Sequence, residues 1–284
     1  MEKRYKAIIF LLVAATLWSS GGMLIKLVSW NSVAIAGLRS FIAVLVLLVF
    51  FRHTRLSWSF SQIGGAVAYA ITVTLFVVAT RLTTAANAIL LQYTAPIYVA
   101  LLGAWFLDEM TQWFDWIITL VVIGGMVLFF LDHLTTGNLL GNGCAVLSGL
   151  SFSFLILFLR KQKNESPLGS IIVGNLLTGL IGLPFMFQSM PSPISWIGLI
   201  LLGVFQLGLS YVLYSEAIKH VTALEAVLLP GIEPILNPLW VFLILGEVPG
   251  KWALVGGGIV FISVTARCVI AALRKDFLHG EKNR

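Results

Sequence analysis

"ATRLTTAANAILLQYTAPIYVALLGAWFLDE", residues 79–109, returns 138 positions later as "AIKHVTALEAVLLPGIEPILNPLWVFLILGE", residues 217–247. Laid over each other without a gap, the two stretches agree at 11 of 31 positions, including Thr84 with Thr222, Pro96 with Pro234 and Glu109 with Glu247. Shared leucines and alanines follow from apolar bias. The shared proline does not, because proline supplies only 9 of 284 residues. Each copy is a strongly apolar run with a helix breaker and polar groups near its middle, so the chain contains a duplicated unit.

Composition says where that unit lives. The chain is 59% hydrophobic and 11% charged, with a mean hydropathy of +0.98, more apolar surface than a soluble domain can bury. Charges fall in short clusters separated by about 20 apolar residues, the length that spans ~30 Å of hydrocarbon as a helix. The spacing predicts ten helices, over 7–28, 32–51, 60–80, 86–107, 112–131, 139–160, 168–187, 195–217, 222–245 and 251–273. The runs are apolar on every face, whereas a membrane barrel needs short segments of alternating polarity. The first run is too long for a signal-peptide core and lacks a small-residue cleavage site, so it is read as a retained span.

Basic residues set the orientation, because positive loops stay cytoplasmic. With the amino terminus inside, 13 of the 18 lysines and arginines fall on the cytoplasmic side. Lys26, Arg81 and Lys251 fall outside, and Arg39 and Arg267 lie within spans. Both termini are expected to be cytoplasmic, in a bacterial inner (plasma) membrane. The net charge of +6 belongs to these loops and gives no reason to expect nucleic acid as a partner. Five spans per repeat is an odd number, so the copies must cross the bilayer in opposite senses. The expected units are 1–136, an inverted second repeat over 137–273, and a charged tail over 274–284. Inverted repeats of this kind build secondary transporters, with the substrate near the midplane between the halves.

Other classes fare worse. The four histidines lie in loops, at span ends or in the tail, and Cys144 and Cys268 have no partner at ligand spacing, so no metal or cofactor is expected. An intramembrane protease would need a serine and histidine pair, two facing aspartates or HExxH; none is present at span centres. No repeated filter sequence suggests a channel. The paired glycines at 21–22, 64–65 and 124–125 and the run at 256–258 sit in or beside spans, where helix packing is the expected role.

"TLWSSGGMLIK" at 16–26, Arg39, and the signatures "APIYVALLGAWFLDE" (95–109) and "EPILNPLWVFLILGE" (233–247) resemble the EamA-type carriers of the drug/metabolite transporter superfamily. The resemblance covers the whole chain. It implies a monomeric carrier in the lipid bilayer, exporting small metabolites by alternating access. That family includes exporters of amino acids, aromatic ones among them. The alternative is a proton-coupled exporter of drugs, amines or nucleosides.

Polar and aromatic residues at mid-span depth are the candidates for a substrate cavity. Pro96 and Pro234 are expected to kink the fourth and ninth helices near their middles and act as gates. Gln92 and Tyr93 lie one turn before Pro96, Glu233 and Asn237 share a face, and Trp18 is central in the first span. Thr72 and Phe76 map onto Ser210 and Tyr214 under the 138-residue shift, and Tyr69 lies one turn before Thr72. Arg39 and Glu233 are at overlapping depths, so they are expected to pair or to share a substrate, unless Glu233 stands neutral and hydrogen-bonded. Glu225 and Glu216, nearer the interface, are expected to be reached by water.

Overall fold

An unpartnered peptide group in hydrocarbon costs several kcal/mol, so a spanning chain closes its hydrogen bonds within helices and tolerates breaks only where protein or water can serve the freed groups. The computed structural model describes residues 2–50, 56–131, 138–236 and 251–282. Among them there is no β-strand.

The helices are α1 (Glu2–Trp18), α2 (Gly21–Leu27), α3 (Ser32–Phe50), α4 (Phe60–Leu82), α5 (Ala85–Gln92), α6 (Ala95–Leu107), α7 (Trp113–Phe130), α8 (Leu139–Lys161), α9 (Pro167–Met186), α10 (Pro193–Leu201), α11 (Ser210–Ala217), α12 (Ala223–Leu228) and α13 (Lys251–Lys282). A π-helical stretch, Leu202–Leu209, joins α10 to α11, and a 3-10 turn, Leu229–Ile232, follows α12. Seven stretches are long and apolar enough to cross a membrane: Glu2–Leu27, Ser32–Phe50, Phe60–Leu82, Asn87–Leu107, Leu139–Lys161, Pro167–Met186 and Pro193–Ala217. Trp113–Leu128 and Leu254–Arg267 are shorter apolar helices. The ninth run is described only to Leu236, so Asn237 lies outside the described residues.

The repeat is visible in local chemistry. Thr84 and Thr222 are both N-caps: the Thr84 hydroxyl accepts from the Asn87 amide at 3.0 Å and the Thr222 hydroxyl from the Glu225 amide at 3.2 Å. Both prolines also sit alike, but not inside continuous helices. Pro96 is in the first turn of α6, after α5 has already ended at Gln92. Pro234 follows the 3-10 turn, where helical geometry resumes at Glu233. Proline lacks an amide hydrogen and fits the first turn of a helix, where that donor has no partner anyway. The break therefore precedes the proline in each case, and α5 and α6 are two helices rather than one kinked one.

Glycines let the helices close up. A methyl carbon built on Gly182 of α9 would come within 2.6 Å of the Gly37 Cα on α3, and one on Gly149 of α8 within 2.7 Å of the Gln92 carbonyl oxygen. These contacts are backbone on backbone, so no side chain can move to relieve them. Gly65 and Gly125 also pack closely, against Ser170 and Ile259, whereas Gly124 and Gly258 face open space. Close packing is thus the role of some paired glycines, and the tightest approaches to backbone come from isolated ones. Gly182→Ala should lower the yield of folded protein and its unfolding temperature in detergent, by an amount corresponding to about 1–3 kcal/mol of overpacking. Gly258→Ala, measured in parallel, should leave both unchanged.

Candidate functional site

The breaks in the first, fourth and ninth runs and the π-helical stretch of the eighth meet around one buried cavity. Its wall includes Trp18, Arg39, Thr72, Val73, Phe76, Gln92, Tyr93, Phe152, Gln206, Tyr211 and Glu233. Trp18 ends α1 just before the break at Ser19 and Ser20. Its indole packs on Tyr211 and Tyr214 at 5.1 Å each and edge-on to Phe152 at 6.2 Å. The indole Nε1 is buried with no hydrogen-bond partner among the described residues.

Arg39 comes from the middle of α3 and is 1% exposed. Its Nη1 donates to Gln206 Oε1 at 3.0 Å and Nη2 to the Val73 carbonyl at 3.4 Å, while Nε has no partner among the described residues. No described carboxylate lies within ion-pair distance of it. A guanidinium taken out of water is costly unless compensated, and intramembrane cations are characteristically found on substrate paths.

Across the cavity, the Tyr93 hydroxyl lies 2.8 Å from the Pro230 carbonyl and 2.9 Å from Glu233 Oε2. A phenol has one hydrogen and can donate to only one of them at a time. When it donates to Pro230, the contact with Glu233 requires a proton on the carboxyl, which then donates to Tyr93. Gln92 is braced by donation to Ser148 Oγ at 2.8 Å, and Ser148 in turn donates to the Thr72 carbonyl at 3.0 Å.

Seven of the residues expected on the wall are there: Trp18, Arg39, Thr72, Phe76, Gln92, Tyr93 and Glu233. Three stand one layer behind it. Tyr69 packs its ring on Tyr211 at 4.9 Å, the Ser210 hydroxyl donates back to the Gln206 carbonyl, and the Tyr214 hydroxyl donates to the Ala226 carbonyl at 3.1 Å. The π-helical winding explains the miss at Ser210 and Tyr214. Bonds to i−5 accommodate an extra residue in the turn and rotate everything after it, so Tyr211 faces in where the repeat places Ser210. Arg39 and Glu233 share the cavity but do not pair with each other, because Gln206 and Tyr93 hold them on separate walls. Gln206, an amide deep in an apolar run, was a legible signal that sequence reasoning passed over; Phe152, one of 19 phenylalanines, carried none.

Beyond the cavity, toward the end where α1 begins, a layer of ion pairs ties the bundle together. Glu225 Oε1 is 2.6 Å from Arg4 Nη2 and 3.4 Å from Arg267 Nη1, and Arg267 Nε is 2.7 Å from Asp115. Glu109 Oε1 meets Arg160 Nε at 2.6 Å, and Glu109 Oε2 accepts from the Ala223 amide at 2.8 Å. Asp108, left-handed at φ 57°, turns the chain so that Glu109 can reach. Glu225 is 4% exposed, so it is an element of this layer and not the water-accessible group expected from its depth. Glu216, paired with Lys219 at 2.6 Å, does reach solvent.

The profile of the EamA-like transporter family matches residues 5–131 and again 139–266. The chain belongs to that family. An uncharacterized transporter of Archaeoglobus fulgidus is 26% identical over 256 residues, covering 89% of this chain and 93% of the relative. An S-adenosylmethionine uptake transporter of Rickettsia prowazekii is 25% identical over 184 residues, 63% of this chain and 61% of the relative. A solved crystal structure with a TM-score of 0.82 covers 94% of this chain and 99% of its own at 16% identity, a likeness of fold. As an EamA-like transporter, the chain is a multi-pass membrane protein.

Within the ion-pair layer, Glu225→Gln removes the carboxylate shared by Arg4 and Arg267. It should destabilise the protein by about 3 kcal/mol, read as a drop in unfolding temperature in detergent. Glu216→Gln, at an exposed pair, should change it by less than about 1 kcal/mol.

Proposed function

We propose that this EamA-like transporter exports amino acids and related small zwitterions, aromatic ones included, by alternating access of two inverted five-helix repeats, residues 1–136 and 137–273. One observation carries the reading: Arg39 and Glu233 offer opposite charges to the same aromatic-lined cavity without pairing with each other. An α-amino acid presents a carboxylate and an ammonium that fit this division, with Arg39 on the carboxylate and Glu233 on the ammonium. Trp18, Phe76, Phe152 and Tyr211 supply faces on which an aromatic or aliphatic side chain can stack. The transporter from Rickettsia prowazekii is named for S-adenosylmethionine, a compound with the same amino acid head, which supports the reading of the head group though its named direction is uptake.

The cavity volume is about 50 Å³. Substrate entry widens it by separating the walls. The paired breaks at Gln92–Thr94 and Leu229–Ile232 are natural hinges, with Pro96 and Pro234 setting the restart of each helix as gating positions. The ion-pair layer from Arg4 to Arg267 serves as the barrier on one side. The bias of basic residues supports placing that side, with both termini, in the cytoplasm of a bacterial cell.

A second reading rests on the Tyr93 and Glu233 contact, whose hydrogen count changes with the protonation of Glu233. In that reading the carboxyl carries a proton in exchange for an amine, drug or nucleoside. Counterflow in proteoliposomes against labelled amino acids, amines and nucleosides separates the two. The first reading expects amino acids to exchange, and both Arg39→Gln and Glu233→Gln to weaken that exchange about tenfold or more, the cost of one charge-assisted hydrogen bond. The second expects Glu233→Gln to exchange substrate normally while losing its response to a pH gradient. Exchange of amines alone, indifferent to Arg39→Gln, overturns the zwitterion reading.

A further inference from the structure

A second hollow, with a volume of about 390 Å³, opens on the face of the bundle where α1 begins. It is formed by the first turns of α1, the turn between α8 and α9, and the end of α11, and Lys3, Lys6, Lys163, Lys219 and His220 line it. One carboxylate, Glu216, is in the hollow, and it is engaged by Lys219 at 2.6 Å and approached by His220 at 3.7 Å. Lys3, Lys6 and Lys163 have no carboxylate within ion-pair distance among the described residues. The adjacent Arg4 does, because it turns the opposite way into Glu225. Three ammonium groups are thus left around one concavity.

The position of the hollow selects its ligand. Lys3 and Lys6 lie at the first turns of a spanning helix, the depth of lipid headgroups. At 100° per residue, Val13 lies about 20° from Lys6 around the α1 axis and Ile9 about 60°. Tyr5, Ile9 and Val13 are 57%, 58% and 42% exposed, an apolar strip presented to the bilayer directly beside the lysines. Phe10, half-buried, forms the seam between the two, with Lys6 Nζ 5.4 Å from its ring centre. A molecule that fits this arrangement has a phosphate at one end and acyl chains at the other. We propose that the hollow binds the headgroup of an anionic phospholipid, with the phosphate held by Lys3, Lys6 and Lys163 and the acyl chains lying along Ile9 and Val13. Basic pockets at the ends of membrane helices bind such headgroups, each lysine contributing about 1 kcal/mol.

The test is native mass spectrometry of the full chain released from detergent after incubation with dioleoylphosphatidylglycerol, dioleoylphosphatidylcholine or glycerol 3-phosphate. The expected result is retention of phosphatidylglycerol at least tenfold above phosphatidylcholine, with no retention of glycerol phosphate. Each lysine-to-glutamine change should weaken retention about fivefold, and the combined K3Q/K6Q/K163Q variant about a hundredfold. The control K26Q/K251Q, two exposed lysines elsewhere, should bind as the parent does. Should the triple variant fail to fold, Lys163→Glu, placed in the turn alone, gives the same reading. Equal retention of the two lipids, or undiminished retention in the lysine variants, overturns the proposal; retention of glycerol phosphate with the same lysine dependence overturns the lipid in favour of a soluble phosphate ligand.

Discussion

The hydroxyl of Tyr93 on the carbonyl of Pro230 condenses the constraint that governs this molecule. A helix that stops inside hydrocarbon leaves carbonyls that water cannot reach, and each must find a donor in the protein. The answer here is to let broken helices serve each other. The fourth run supplies a phenol to the break in the ninth, and the eighth supplies another from Tyr214 to Ala226 in α12. Arg39 and Ser148 also donate to carbonyls, those of Val73 and Thr72, but inside the unbroken helix α4. Polar side chains are concentrated at the centre because irregular backbone is concentrated there, and the cavity lies between them.

Charge is used in two ways at two depths. In the layer beside the cavity, Glu225, Arg267, Asp115, Arg4, Glu109 and Arg160 are matched and largely buried, which joins helices from both ends of the chain. In the cavity itself, Arg39 and Glu233 are each held by a neutral group, Gln206 and Tyr93. Neutral partners orient a charge without cancelling it. A matched layer resists opening, and an unmatched pair keeps its attraction for a solute.

How far the sequence disclosed this depended on the range of the interaction. The repeat and seven of the ten expected spans are written in local patterns of hydropathy, and they were legible. The wall of the cavity was legible where a side chain's depth alone places it there, as for Trp18, Arg39, Gln92, Tyr93 and Glu233. It was not legible past the π-helical stretch, where Leu202–Leu209 winds differently from an α-helix and its glycines, Gly203 and Gly208, look like ordinary packing positions. Ser210 and Tyr214 were misassigned for that one reason. Glu225 was misjudged for another: its burial depends on Arg4 and Arg267, 221 and 42 residues away, and no periodicity reports partners at such distances.

The carboxylate of Glu109 reaches the first amide of α12 from the opposite repeat. With six residues, α12 is shorter than any helix that holds its shape alone, since nucleation fixes several residues for one hydrogen bond. Its opening turn is therefore completed by Thr222 from within and by Glu109 from without. The ninth span thus starts on a contact that the end of the fourth span provides, and the two repeats are tied together at that point. Synthesised in order from the amino terminus, the chain makes its template before the segment that needs it.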